Sequence, residues 1–168
     1  VDSFGLGTLI SSNGLILTNY HVVGNYNTVR VVINQKEYSG RVLSYDKSVD
    51  LALISIGQGP WPFVEMSACI PSVGENISVI GFPGLAYDTY QEIVDETSSL
   101  TKGVVSAIRT RSKNIQTDTP INPGNSGGSA FDSKGRLIGV PVSHYRDLQS
   151  VGYLISLKLV EKELKELF

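Results

Sequence analysis

An all-β protein, folded as a barrel or sandwich, is what this sequence predicts, and three observations predict it. Short strand-like runs recur at close spacing, separated by turn residues rather than by long helical periods. Glycine is abundant, at 17 of 168 residues, as many tight turns require. With 41% apolar residues, the chain can fill the core of one domain, or of two half-barrels sharing an interface.

In the first half, strands are expected at 8–10, 15–18, 28–33, 37–45 and 51–56. Ser11-Ser12-Asn13-Gly14 and Gly57-Gln58-Gly59-Pro60 supply turn signals. Residues from Gly57 to about Ser72 then read as a link between two halves. In the second half, strands are expected at 77–81, 103–108, 115–117, 129–131, 137–141 and 153–156. The turn Asp132-Ser133-Lys134-Gly135 makes a β-hairpin of the region after residue 128. The tail differs. Leu157, Val160, Leu164 and Leu167 recur at helical intervals among opposite charges four apart, which predicts a helix over 157–168 docked on the second half.

Chemistry concentrates in Asn122-Pro123-Gly124-Asn125-Ser126-Gly127-Gly128. Glycines beside a serine let successive N–H groups point into one small space, where they can hold the oxygen anion formed when serine attacks a carbonyl. Alone, such a cluster is equally a surface turn. Two other residues change the reading. His21 follows the apolar run Leu15-Ile16-Leu17, and Asp50 stands at the mouth of Leu51-Ala52-Leu53-Ile54. An acid at the mouth of a buried strand needs a partner. Serine needs a base, and the base needs a carboxylate to set its tautomer. Asp46 is a competing acid, but it sits in the solvated turn Tyr45-Asp46-Lys47-Ser48.

Thr18-Asn19-Tyr20-His21-Val22-Val23, Asp50-Leu51-Ala52-Leu53 and Gly124-Asn125-Ser126-Gly127-Gly128 resemble the three catalytic motifs of trypsin-like serine proteases, most nearly the HtrA/Deg branch. Gly81-Phe82-Pro83, the run from Leu100 to Ala107, and Gln116-Thr117-Asp118-Thr119-Pro120 extend the likeness over residues 5–156. The resemblance implies two six-stranded antiparallel β-barrels, about 1–62 and 73–156, followed by the C-terminal helix. It implies a catalytic His21, Asp50 and Ser126, and an oxyanion hole at Gly124, Asn125 and Ser126. The substrate would be a polypeptide. A homotrimer, or an activating partner, would be in keeping with the family, and so would a latent, protease-like binding module. The helix would usually lead to a PDZ domain, and none lies in this chain.

An α/β-hydrolase elbow shares the G-x-S-x-G pattern, but its acid and histidine follow the serine. After Ser126 the only histidine is His144, and a hairpin stands where a long helix is required. Relatives that cut after Lys or Arg carry an acid six residues before the serine. Pro120 is here instead, so the resemblance implies a pocket formed with Ile121, Pro141, Val142, Ser143 and His144, taking small or medium aliphatic side chains.

Two departures from the family stand out. Residues 85–99 form an acidic insertion, expected to gate the site, to favour basic residues distal to the cut, or to be a solvated loop. Ser129 replaces a proline common among relatives, a change expected to matter little.

Net charge is −2, which gives no electrostatic case for nucleic acid. No apolar run reaches the roughly 20 residues of a membrane span. No cofactor is required, and no His/Cys ligand pattern calls for a metal. Cys69 is the one cysteine, so there is no internal disulfide; it reads as a partly buried apolar residue. That favours a bacterial-type or intracellular scaffold, with the compartment open among cytoplasm, periplasm and organelle. The chain opens on Val1 without a secretory segment, as expected of an excised domain or mature form.

Overall fold

The computed structural model describes residues 4–81, 98–121, 127–142 and 151–168. Five strands come first: β1 (Thr8–Leu9), β2 (Leu15–Thr18), β3 (Thr28–Ile33), β4 (Lys36–Asp46) and β5 (Leu51–Ser55), with the one-turn helix α1 (Tyr20–Val23) after β2. The second half holds six: β6 (Asn76–Gly81), β7 (Ser99–Arg109), β8 (Asn114–Thr117), β9 (Ser129–Phe131), β10 (Leu137–Val142) and β11 (Gly152–Ser156). Helix α2 (Glu161–Leu167) closes the chain. The strands expected from the sequence recur, with β7 starting earlier than its expected 103. Leu100, Thr101 and Lys102 pair with Ile80, Val79 and Ser78, so the ladder extends through a short segment that carries no strand pattern.

The second half is the expected six-stranded barrel, closed in the order β10-β11-β8-β7-β6-β9. The first is a five-stranded sheet, β1-β2-β5-β4-β3, among the described residues, where the resemblance implied six strands. Its pairs are antiparallel, and a register shift between Val42 and Ser44 bends the long β4. A bulge of this kind increases local twist and lets a sheet curl.

Among the described residues, three apolar clusters hold the fold. One fills the barrel, with Ile77, Val79, Val105, Ile115, Ile138 and Leu154. Another lies within the first sheet, around Ile16, Val23, Ala52 and Ile54. The third occupies the seam between the halves, where Leu17, Leu51 and Leu53 meet Leu137, Val140 and Ile155. The unbroken run Leu51-Ala52-Leu53-Ile54 is thereby explained. Alternate residues feed the seam and the first sheet, so β5 is buried on both faces.

Leu157, Val160, Leu164 and Leu167 all join the seam cluster, as their spacing predicts. Two details differ from expectation. The helix proper begins at Glu161, after turns over 157–160 in which the Ser156 hydroxyl accepts the Leu159 N–H at 3.2 Å. The helix also reaches the first sheet rather than resting on the second half alone. Ser44 of β4 donates its hydroxyl to Leu167 O at 2.6 Å. A four-residue apolar face is wide enough to cover the seam, and burying it there stabilises both halves at once.

Residues 56–75 cross between the halves as an extended strap. The N–H groups of Trp61 and Val64 donate to Ser12 O and Leu9 O, at 2.8 and 3.1 Å. Leu137 N–H donates to Glu65 O at 2.8 Å, and Ser67 N–H to Leu137 O at 2.9 Å. Cys69 is exposed, not partly buried, because the strap binds the fold through its backbone and leaves Ala68, Cys69 and Ile70 outside.

Candidate active site

β2 and β5 are neighbours, with Thr18 opposite Ala52, so the chain leaving β2 and the chain entering β5 meet at one sheet edge. His21 lies in α1 just beyond the first, and Asp50 immediately precedes the second. Their side chains join. His21 Nδ1 and Asp50 Oδ2 are 2.7 Å apart, with the side chains 37% and 20% exposed. The other carboxylate oxygen, Oδ1, accepts the main-chain N–H of His21 at 2.9 Å. One carboxylate therefore holds both the backbone and the ring of the same histidine. An Nδ1–H donated to a carboxylate fixes the tautomer that leaves Nε2 as the base.

The backbone of Asp50 is held as well. Tyr20 N–H and Asn19 Nδ2 both donate to Asp50 O, each at 3.1 Å. Asp50 adopts φ 56°, a left-handed conformation that costs a residue with a β-carbon roughly 1–2 kcal/mol. Residues 19, 20 and 21 supply the donors that keep it there. Asn19 is fully buried, and its Oδ1 has no hydrogen-bond partner. Its link to Asp50 is not legible in the sequence, where Asn19 is simply part of a polar turn. An asparagine at the end of an apolar strand is the one local signal that could have pointed to it.

Ser126, with Gly124 and Asn125, lies outside the described residues, but the glycine after it is well placed. Gly127 has φ 80°, and a β-carbon there would stand 2.1 Å from Leu6 O and 2.5 Å from Thr18 Oγ1. Only glycine fits. Thr18 Oγ1 donates to Leu6 O at 2.6 Å, so Gly127 rests on a hydrogen-bonded pair from the first half. Two residues on, the buried Ser129 hydroxyl is hydrogen-bonded to the Thr8 hydroxyl. Ser129 thus does more than the sequence implied: it ties β9 to β1, because a serine supplies a hydroxyl where proline has none. On the near side of the motif, Asp118 plays a structural part, accepting Val104 N–H at 2.8 Å.

Among the proposed pocket residues, Pro120 is exposed and Ile121 packs on the barrel cluster. Pro141 pairs with Leu154, whose side chain belongs to the barrel interior. Val142 is 7% exposed and its side chain lies in the seam cluster, so only its main chain is left to meet a ligand. Ser143, His144 and residues 85–97 of the acidic insertion lie outside the described residues. Gly152 carries no signal in the sequence. A β-carbon on it would stand 2.5 Å from both Ile121 Cγ1 and Thr119 O, so its lack of a side chain sets where Ile121 sits.

The competing acid is otherwise engaged. Asp46 Oδ1 accepts the N–H and hydroxyl of Ser48, at 2.8 and 2.5 Å, and the hydroxyl bond above all holds its carboxyl below the usual range. Among the described residues, no group of three or more His, Cys, Asp and Glu is placed to hold a metal, and no helix is long and apolar enough to cross a membrane.

A curled sheet that presents a carboxylate-bound histidine, packed against a six-stranded barrel whose Gly127 is seated on Leu6 and Thr18, has the architecture of a serine-protease domain. The chain belongs to the trypsin-like peptidase domain family, which matches residues 5–140. It is 32% identical to the putative serine protease HhoB of Synechocystis, over 98% of this chain and 40% of that protein. A probable periplasmic serine endoprotease, DegP-like, of Pseudomonas putida is 36% identical over 83% of this chain and 29% of the relative. The crystal structure of the serine endoprotease from Yersinia pestis superposes with a TM-score of 0.83 at 27% identity, over 99% of this chain and 58% of that one. The chain therefore spans less than two thirds of the length of each of these relatives.

Proposed function

We propose that this chain is the catalytic domain of a serine endopeptidase, its two halves, about 1–62 and 73–156, contributing the two sides of one site. The observation that carries the reading is the His21–Asp50 pair, 2.7 Å apart, with Gly127 seated against Thr18 beside it. Ser126 Oγ attacks the scissile carbonyl of a polypeptide while His21 Nε2 takes its proton. Asp50 stabilises the resulting imidazolium. The N–H groups of Gly124 and Ser126, with that of Asn125 close by, hold the oxyanion, each such donor worth about 2.7–4 kcal/mol in the transition state. His21 then protonates the leaving amine, and water drawn by the same base hydrolyses the acyl-enzyme.

The pocket is assigned to Pro120, Ile121, Pro141, Val142, Ser143 and His144, with Pro120 in place of an acid. Small or medium aliphatic side chains fit such a pocket at the residue whose carbonyl is cut. A fluorophosphonate probe tests the reading, with wild type beside Ser126→Ala. Labelling of the wild type alone is expected. Labelling of neither would replace this reading with a latent or binding module. In a peptide panel, preference for Arg at the cut would overturn the aliphatic assignment.

A further inference from the structure

Tyr20, the neighbour of His21, stacks on Tyr45 of β4 with ring centroids 4.8 Å apart and planes inclined by 34°. The Lys47 ammonium stands over both rings, 5.5 Å from the centroid of Tyr20 and 5.9 Å from that of Tyr45. A cation within about 6 Å of a ring centroid is attracted to the ring's negative face. Two rings therefore hold this ammonium in one place. Tyr20 is fixed in turn, because its hydroxyl donates to Asn25 Oδ1 at 2.7 Å. Asn25 and Tyr45 also line one groove of about 370 Å³, together with Tyr26 and Leu43. Tyr26, Leu43 and Tyr45 are exposed there.

Lys47 is exposed, and no described carboxylate makes a salt bridge to it. Its sequence neighbour Asp46 is occupied by Ser48. The molecule thus presents a cation held over two aromatic rings, one of which, Tyr20, is the sequence neighbour of His21.

We propose that Lys47, Tyr20 and Tyr45, with the adjoining groove, form an accessory subsite that takes an acidic side chain of the polypeptide substrate. This rests on the endopeptidase reading above. The ammonium meets the carboxylate, and the tyrosine faces pack on its methylene groups. An ammonium already held in place loses less conformational freedom on binding than a free lysine would. Tyr20 adjoins His21 in the chain, so the acidic residue is sought within about five positions on either side of the cut, each residue of an extended peptide advancing about 3.3 Å.

The test uses quenched-fluorescent peptides sharing one aliphatic cut site, with Glu or Gln placed in turn at each of those positions on either side. Wild type is expected to prefer Glu over Gln at one position by about two- to fivefold in kcat/KM, the scale of an exposed ion pair. That ratio falls to about one in Lys47→Met, and towards one in wild type at 1 M salt, where the screening length is about 3 Å. Equal rates for Glu and Gln at every position would overturn the subsite. So would a loss in Lys47→Met that is the same for both peptides. If wild type cuts none of them, the endopeptidase reading fails separately. Fluorescence polarisation of the same labelled peptides on Ser126→Ala then decides the subsite: tighter binding of Glu that depends on Lys47 supports it, and its absence overturns it.

Discussion

Gly127 and Thr18 lie so close that a β-carbon on the glycine would stand 2.5 Å from the threonine hydroxyl. One residue follows Ser126, and the other precedes His21 by three. This contact joins the two halves at the point where the proposed nucleophile and base would meet. Gly127→Ala would impose both a clash and a left-handed conformation on a residue with a β-carbon. We expect probe labelling to fall by about a hundredfold, the cost of misplacing a reacting group by about 1 Å. Circular dichroism checks that the sheets survive; unchanged labelling would show that the loop tolerates displacement.

Asp50→Asn should leave the fold intact and lower kcat by about ten-thousandfold, because an amide no longer enforces the tautomer with Nε2 as base. Stopped or progress-curve kinetics on one good peptide would measure it. A loss below tenfold would mean that another acid orients His21.

Asn19→Ala removes one of the two donors to Asp50 O without touching the carboxylate. A smaller fall in kcat is expected, with KM little changed, since the interaction acts on the geometry of the pair. The downfield proton resonance of a histidine Nδ1–H bonded to carboxylate should shift or broaden. If Tm drops while kcat and that resonance stay as in wild type, Asn19 serves the fold only.

Gly152→Ala should push Ile121 from its place, since the new methyl would lie 2.5 Å from Cγ1. Preference at the cut is expected to move toward smaller side chains, read as the Ala-to-Val ratio of kcat/KM in matched peptides. A uniform loss across the panel would mean that Ile121 does not shape the pocket.

Asp132 anchors the β9–β10 hairpin. Burial raises its carboxyl, but N–H donors from Arg136 and Lys134 and the Arg136 guanidinium outweigh that and hold it below the usual range. Its stabilising contribution is therefore complete above the ordinary aspartate value of about 3.9 and is lost as pH falls through the lower folded value. Asp132→Asn should cost about 1–3 kcal/mol at pH 7. Urea titrations should show that gap narrowing below about pH 4. A gap that stays constant with pH would remove the carboxylate's charge from the account.

Much of the fold was legible because turn residues and short apolar runs mark strands directly. Leu157, Val160, Leu164 and Leu167 announced a buried face through their spacing alone. The helix start was not legible, because turns and helix share that spacing for a single turn. Ser129 and Cys69 misled for a common reason. Whether a small polar or sulfur side chain is buried depends on what the rest of the chain brings to it, and neither residue states that locally.

His21, Asp50 and Ser126 are proposed from sequence, because each motif is a run of adjacent residues whose chemistry requires those types in that order. The strand alternation, and with it the two sheets, is likewise local information. Only the tertiary structure decided that Asp50 meets both the ring and the backbone of His21, and that Asn19 and Tyr20 hold Asp50 O. Only it decided that Gly127 is seated on Leu6 and Thr18, that Ile121 rests on Gly152, and that Lys47 stands over Tyr20. Each joins residues far apart in the chain, through packing distances that no single segment can set by itself.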